Sequence, residues 1–371
     1  MDNGLQLKAK NYSKEKYALA IIEMLYSFVL LVFFQFFGAS DFVAFVLKEI
    51  LRNNYLIIAG YILLITIAYS ILSFPINLYR SFILEHKFNL STQSLKDWFG
   101  DFIKSLVISC IIFIILIEVF YFILNKFPDI WWLAVVAFWI FFSIILAKLT
   151  PVLFIPLFFK YKALSDEGLK ERILRLAKRM EVRVLNVFEI DFSKKTVKAN
   201  AAFVGVGRTK RVILADTLKD KYSHDEIEVI LAHEFAHYRL KHLLKLILIN
   251  SAFTLCLLYL IFISSGYALN IFGSRMLNDV ASLPILLLYA LIFNFIATPF
   301  GNAVSRKFEK DADRLSIEFT GFKESFISVM QKLAEQNLAD TAPNKWIKWF
   351  FFDHPPISER INMTDSYKET S

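Results

Sequence analysis

Cysteine is nearly absent from this 371-residue chain. The two present, Cys110 and Cys256, each lie inside an apolar run. A disulfide-stapled scaffold is therefore excluded, and two buried free thiols leave the redox compartment open. Charge is also sparse, at 20% of residues, whereas 56% are hydrophobic and Phe alone occurs 39 times. A soluble domain of this size does not need so much apolar surface, so the composition points to a membrane protein. No internal repeat and no low-complexity linker is present, which leaves out solenoids and flexible tethers. No cleavable signal peptide is expected. The first sixteen residues, MDNGLQLKAKNYSKEK, are polar, and the apolar run that follows is too long for a signal core and has no small-residue cleavage site. It reads as an anchor that stays. The net charge of +8 suits an anionic membrane face better than nucleic acid in so apolar a chain.

Six stretches approach the roughly twenty apolar residues that cross a bilayer as a helix: 17–37, 55–78, 104–124, 131–150, 243–265 and 283–303. Glu23 and Glu118 are expected near a headgroup boundary, where charge is easily accommodated. The N-terminal tail and the 79–104 loop carry four Lys or Arg each, against two, one and one in 38–54, 125–130 and 266–282. By the positive-inside rule the two richer segments are cytoplasmic. The fold class is therefore mainly α and polytopic, with about six transmembrane helices. Four divisions follow: a four-span region 1–150, a soluble insert 151–242, two spans 243–303 and a C-terminal part 304–371, whose last residues read as frayed.

The insert mixes helix and strand. "SDEGLKERILRLAKRM" has Ser165 as candidate N-cap, with Leu169, Ile173, Leu176, Ala177 and Met180 at helical spacing. "RVLNVFEI" reads as a strand, and "ANAAFVGVGRTKRVILAD" as a hairpin around a Gly-rich turn. That turn lacks the Lys-Ser/Thr pair of a phosphate loop. A helix then begins at "YSHDEIEV", where Ser223 and Glu226 have capping-box spacing. No proline separates it from the fifth span, so one unbroken helix is expected.

That helix carries "LAHEFAHYRL". Four residues advance a helix by about 400°, so His233 and His237 share one face. Both can reach a zinc ion, while Glu234 lies beside the open position, placed to take a proton from water. With six histidines in the whole chain, chance seldom produces this spacing. A catalytic zinc needs a third protein ligand. Of the downstream glutamates only Glu309 has an Asp four residues on, and in "SRKFEKDADRL" Glu309 and Asp313 share a helix face. Glu309 can bind the metal while Asp313 accepts the N–H of a ligand histidine. His242, nine residues after His233, is half a turn out of phase and should point away, in a packing or supporting role. In "DHPPISERI" paired prolines hold His354 in an extended turn. From there it can lean into the cleft and stabilise an oxyanion, together with Arg360.

These residues, with the ordered blocks "FILEHKFNLSTQSLKDW", "PVLFIPLFFKYKAL", "ANAAFVGVGRTKRVILADTL", "LAHEFAHYRLKH", "SRKFEKDAD" and "AEQNLADTAPNKWIKWFFFDHPPISERI", resemble the Ste24-type CAAX prenyl protease 1 family, the M48 membrane zinc metalloproteases. The resemblance spans roughly residues 17 to 363. It implies spans enclosing a water-filled chamber, a zincin-like α+β catalytic domain on the cytoplasmic side, and one Zn2+ per chain held by His233, His237 and Glu309. It implies Glu234 as base, and a downstream acid at Asp313 that the family's accounts sometimes make a proton donor. Asn200, Ala201 and Phe203 fall in the block that forms a substrate-binding edge strand. His354 and Arg360 match positions near the active site. The implied partners are a peptide or protein substrate, prenylated or membrane-embedded, and the bilayer. Ala202 and Ala236 replace the family's Tyr and Gly, one span is missing from its usual seven, and no ER-retrieval signal is evident. These departures point to a bacterial or archaeal plasma membrane. A related HtpX-type quality-control protease and a non-catalytic zinc-stabilised membrane protein are the alternative readings.

Overall fold

The computed structural model describes residues 3–205, 207–273 and 276–366. Val206, at the tip of the expected hairpin turn, and the expected frayed end at 367–371 lie outside the described residues. The helices of the membrane region are α1 (Asn3–Phe36), α2 (Ala39–Ile50), α3 (Asn54–Leu78), α4 (Leu84–Lys87), α5 (Leu95–Lys126), α6 (Trp131–Leu149) and α7 (Ile155–Phe158). The insert adds β1 (Tyr161–Ala163), α8 (Glu167–Arg179), β2 (Asn186–Ile190), β3 (Ala201–Val204), β4 (Arg211–Ala215) and α9 (His224–Arg239). Then come α10 (His242–Ile271), α11 (Leu283–Thr320), α12 (Lys323–Gln336), α13 (Lys345–Phe351) and α14 (Ile357–Met363). Among the described residues six helices are long and apolar enough to cross a membrane. They cover the six stretches expected from sequence, the first ending one residue short at Phe36.

The helices outlast their apolar runs. α1 starts at Asn3 rather than near residue 17 because Ala9 and Tyr12 pack into a small core with Leu84, Phe88, Leu90 and Leu338. Tertiary packing there overrides a polar local sequence. α11 leaves the apolar region and runs on to Thr320, so position 303/304 falls inside one continuous helix. It stops at Gly321, whose φ of 71° is the left-handed geometry of a helix C-terminus. Glu23, in the first span, pairs with Arg80 at the end of the second.

The insert folds into a four-stranded sheet of order β1-β2-β4-β3. The expected hairpin is the antiparallel pair β3–β4. The parallel pairing of β2 with β4 and the short strand β1 were not legible locally, since both depend on partners far along the chain. α8 is capped by Asp166, which accepts from Leu169 N at 2.9 Å, one residue later than the expected Ser165. One apolar core joins α8, the sheet, α9, the distal half of α11 and α12, with Leu231, Phe235, Ala312 and Phe326 fully buried. The segment before β3 is fastened from two sides. Leu90 accepts from Val197 N at 3.1 Å, and Asn337 accepts from Ala199 N at 3.0 Å. Lys198 pairs with Glu85 at 2.7 Å, and Glu85 accepts from Tyr12 of α1.

α9 begins with the expected capping box between Ser223 and Glu226. The buried Glu226 carboxylate also accepts from Ser328 at 2.6 Å and Lys332 at 2.7 Å, which pins this helix end to α12. The expected continuation of α9 into the fifth span does not occur. Lys241 adopts left-handed φ 57° and ψ 34°, so α9 ends at Arg239 and α10 starts anew at His242.

Replacing Ser223 with Ala is expected to cost about 1 kcal/mol, and Glu226→Gln about 2–3 kcal/mol through lost charge-assisted hydrogen bonds. Burial opposes the Glu226 charge, but Lys332, Ser328 and the Ser223 amide outweigh it and hold the carboxyl below its usual pKa. Its stabilisation is therefore complete above the unfolded carboxyl pKa of about 4.3 and is lost as pH falls through the lower folded value. Chemical unfolding of detergent-solubilised variants across pH checks this. A Glu226→Gln protein as stable as wild type at pH 7 would contradict it.

Candidate metal centre

Helical spacing stacks His233 and His237 on one face of α9, with ring centroids 4.7 Å apart. α11 crosses that face and is locked to it by Ser316 Oγ donating to Val229 O at 3.1 Å. The packing presents Glu309 to both rings. His233 Nε2 and His237 Nε2 lie 3.0 Å apart. Glu309 Oε2 is 3.2 Å from the first and Oε1 is 3.3 Å from the second. This is the one His, Cys, Asp and Glu group among the described residues with ligand atoms close enough to hold an ion, all within 4.8 Å.

The donor set fits a divalent ion. Bonds of about 2.0–2.1 Å in tetrahedral geometry separate neighbouring ligand atoms by about 3.3 Å, close to the spacing seen. Glu309 Oε2 is buried and has no hydrogen bond in the structure. A buried anionic oxygen needs a partner, and a cation between the three groups supplies one. Burial works against a charged His233 ring, but Asp313 and Glu309 outweigh it and push its pKa up to about 10. The same carboxylates favour any cation at that point.

Behind His233, its Nδ1 lies 2.8 Å from Asp313 Oδ1. Asp313 is completely buried. Arg360 of α14 grips it with a fork, Nε to Oδ2 at 2.7 Å and Nη2 to Oδ1 at 2.5 Å. Bidentate pairing of this kind is the strongest geometry available to an arginine. Arg360 therefore differs from the expectation that it joins His354 at an oxyanion. Both of its side-chain hydrogen bonds go to Asp313, because a buried carboxylate needs a counter-ion more than an open cleft does. His354 is on the open side. Its half-exposed ring places Nε2 3.4 Å from Glu309 Oε1, and Nδ1 2.8 Å from Asp353. Burial opposes its charge, but Asp353 and Glu309 outweigh that and raise its pKa. Glu234 is partly exposed on the helix carrying both histidines, and its carboxylate makes no hydrogen bond among the described residues. Burial opposes the Arg360 charge, but Asp313, then Glu309 and Glu234, outweigh it and raise its pKa.

β3 is an edge strand. Asn200 O accepts from Ala215 N at 3.0 Å, and the antiparallel alternation that follows turns the main-chain groups of Ala201 and Phe203 towards the open edge. The Phe203 side chain points inward and packs edge-on against Phe235 at 5.2 Å and Tyr238 at 5.5 Å. The open edge thus runs beside α9.

Comparison with known proteins agrees with this geometry. Residues 163–368 match peptidase family M48, and residues 2–160 match the N-terminal region of CAAX prenyl proteases, described as five membrane helices. The chain belongs to peptidase family M48. Among its relatives is the metalloprotease YhfN of Bacillus subtilis, 30% identical over 95% of this chain and 84% of that one. CAAX prenyl protease 1 of Saccharomyces cerevisiae is 29% identical, covering 81% of this chain and 70% of its own length. The crystal structure of S. mikatae Ste24p superposes with a TM-score of 0.87 at 25% identity, over 98% of this chain and 90% of that one. This M48 protein is a multi-pass membrane metalloprotease.

Two features of the M48 site were wholly or partly beyond the sequence. One is the fork between Arg360 and Asp313. The other is His242, buried with its Nδ1 2.9 Å from His237 Nδ1. Sequence alone places it away from the metal in a packing or supporting role, and the break at Lys241 sets it against the far nitrogen of His237. Arg360→Met would leave Asp313 buried without a counter-ion and is expected to destabilise the protein by about 3–5 kcal/mol. Unfolding measured in detergent, with Arg360→Lys alongside, checks it. Lys cannot reproduce the fork and should recover only part of the loss.

Proposed function

We propose that this M48 enzyme is a zinc endopeptidase that uses His233, His237 and Glu309 as ligands, Glu234 as general base and His354 as oxyanion donor. The observation that carries the proposal is the convergence of His233 Nε2, His237 Nε2 and the Glu309 carboxylate at contacts of 3.0–3.3 Å, with the buried Glu309 Oε2 unsatisfied. A structural zinc site is closed by four protein ligands, whereas three protein groups converge here. Lewis acidity is what a bound ion supplies there, polarising a peptide carbonyl and making water acidic near neutral pH.

The chain's own residues do the rest. The open edge of β3 holds a peptide by strand addition through the main-chain groups of Ala201 and Phe203, with the exposed Asn200 at its start. Asp313 keeps the proton on His233 Nδ1, which leaves Nε2 as ligand. Arg360 keeps Asp313 in place. Glu234 accepts the proton of the attacking water and passes it to the departing amine. The raised pKa of His354 favours a charged Nε2 donor to the oxyanion as negative charge develops. The chemistry thus assembles from the 151–242 and 304–371 parts, while 1–150 and 243–303 supply the spans.

The excess of Lys and Arg in the N-terminal tail and in 79–104 supports a cytoplasmic catalytic face. The extensive match to the Bacillus subtilis relative supports a bacterial-type plasma membrane. For substrate we propose prenylated CAAX-type peptides, on the strength of the yeast and human relatives named CAAX prenyl protease 1 and the matched N-terminal region.

Glu234→Gln is expected to lower proteolysis by about 10²–10⁴-fold with the metal retained, and a chelator should abolish wild-type activity. Cleavage by Glu234→Gln at the wild-type rate rules Glu234 out as base. Substrate class is tested with a farnesylated CAAX peptide, its unprenylated twin and an unfolded membrane protein, each with and without chelator. The prenylated peptide should be cut preferentially. Preference for the unfolded protein points to quality control instead.

A further inference from the structure

His242 has no part in the chemistry above, yet it is 2% exposed and touches both helices that carry the proposed ligands. Its Nδ1 lies 2.9 Å from Nδ1 of His237 on α9. Its ring stacks on Phe308 of α11, with centroids 4.3 Å apart and planes 9° from parallel. Phe308 is the residue immediately before Glu309. The other ring nitrogen, Nε2, is buried and has no hydrogen-bond partner. The polar contact this ring makes is therefore with His237.

The backbone explains how it gets there. Five residues along an unbroken helix are about 500° of rotation, or 140° off the starting face, too far for the rings of His237 and His242 to meet. Lys241 breaks the helix in the left-handed region, where residues other than Gly, Asn and Asp seldom sit. The turn it makes folds His242 back under His237. Such strained positions persist where the surrounding structure holds them. Lys245, one turn into α10, places its Nζ 5.6 Å from the centre of the Phe308 ring on α11.

We propose that His242 is a positioning residue for the metal centre. It accepts the Nδ1–H of His237, so it sets that ring's tautomer and aims Nε2 at the ion, while Phe308 holds the His242 plane. The inference rests on His237 binding the ion through Nε2. Nδ1 lies on the far side of the His237 ring from that atom, so His242 supports a ligand without becoming one. The two ligand rings are then braced alike but by different charges. His233 leans on the Asp313 carboxylate, and His237 leans on an imidazole. A neutral acceptor orients the second ring without adding a third buried negative charge beside Glu309 and Asp313. Partners of this kind tune ligand basicity and typically change metal affinity by about 10–100-fold when removed.

The test is Zn2+ affinity of purified full-length protein in detergent, by competition with a chromogenic chelator, for wild type, His242→Phe, His242→Asn, His242→Leu and His237→Ala. Phe keeps a stacking ring and loses the acceptor, and Leu is a second apolar variant if Phe overpacks. Asn carries its Oδ1 near the place of the imidazole Nδ1. The apolar variants should bind Zn2+ about 10–100-fold more weakly, and their Co2+ forms should show shifted visible bands. Asn should recover most of the affinity. Melting of chelator-treated protein should be the same for wild type and the variants compared, which separates site from fold. Wild-type affinity and Co2+ bands in the apolar variants, with Zn2+ lost in His237→Ala, would sink the positioning role and leave His237 standing as a ligand. Equal weakness of Asn, Phe and Leu would also overturn it, since the acceptor would then be irrelevant. Undiminished Zn2+ binding by His237→Ala would remove the ligand assignment itself, and this inference with it.

Discussion

The crossing of α9 and α11 is the constraint on which the rest of this molecule depends. It brings a buried carboxylate, Glu309, against two imidazoles that helical spacing has already stacked. Such a cluster is unfavourable in a dry interior unless its charges are answered. A divalent cation would answer the front of it. Arg360, forked onto Asp313, answers the back. The site is thus stabilised from both sides, and each side makes the other necessary.

Much of the remaining architecture holds that crossing still. α11 is one continuous helix from the apolar region to Thr320, so the membrane spans and the site share one element. α9 is pinned at its start by Glu226 to α12 and buried along its length by the sheet and α8. The open edge of β3 is set by its fastening to the loop after α4 and to the end of α12. α1 and Glu85 join the same fastening through Tyr12 and Lys198. Membrane helices and soluble unit therefore meet at the edge strand β3 as well as at α9.

The membrane metalloprotease of family M48 that results could be anticipated in large part from local pattern. The six apolar runs, the capping box at Ser223 and the hairpin of β3 and β4 are properties of short windows, and all are present in the structure. Local reading ran out where packing over-ruled propensity. The polar start of α1 is helical because Leu84 and Phe88 cover it. The α9–α10 break occurs at a lysine, a residue without turn preference, because the two helices have separate packing demands. β1 and the parallel β2–β4 pairing exist through partners distant in the chain.

The sequence alone determined that His233 and His237 share a helix face with Glu234 beside it, that Glu309 and Asp313 share another, and that both helices belong to a chain built for a bilayer. Those are consequences of a 3.6-residue turn and of apolar run length, which act within a few residues. Only the tertiary structure decided that the two faces meet with ligand atoms 3.0–3.3 Å apart, that Arg360 turns to Asp313 rather than to the cleft, and that His242 lies beneath His237. Each of these depends on which buried charge finds which partner once the helices are packed, and no short stretch of sequence carries that information.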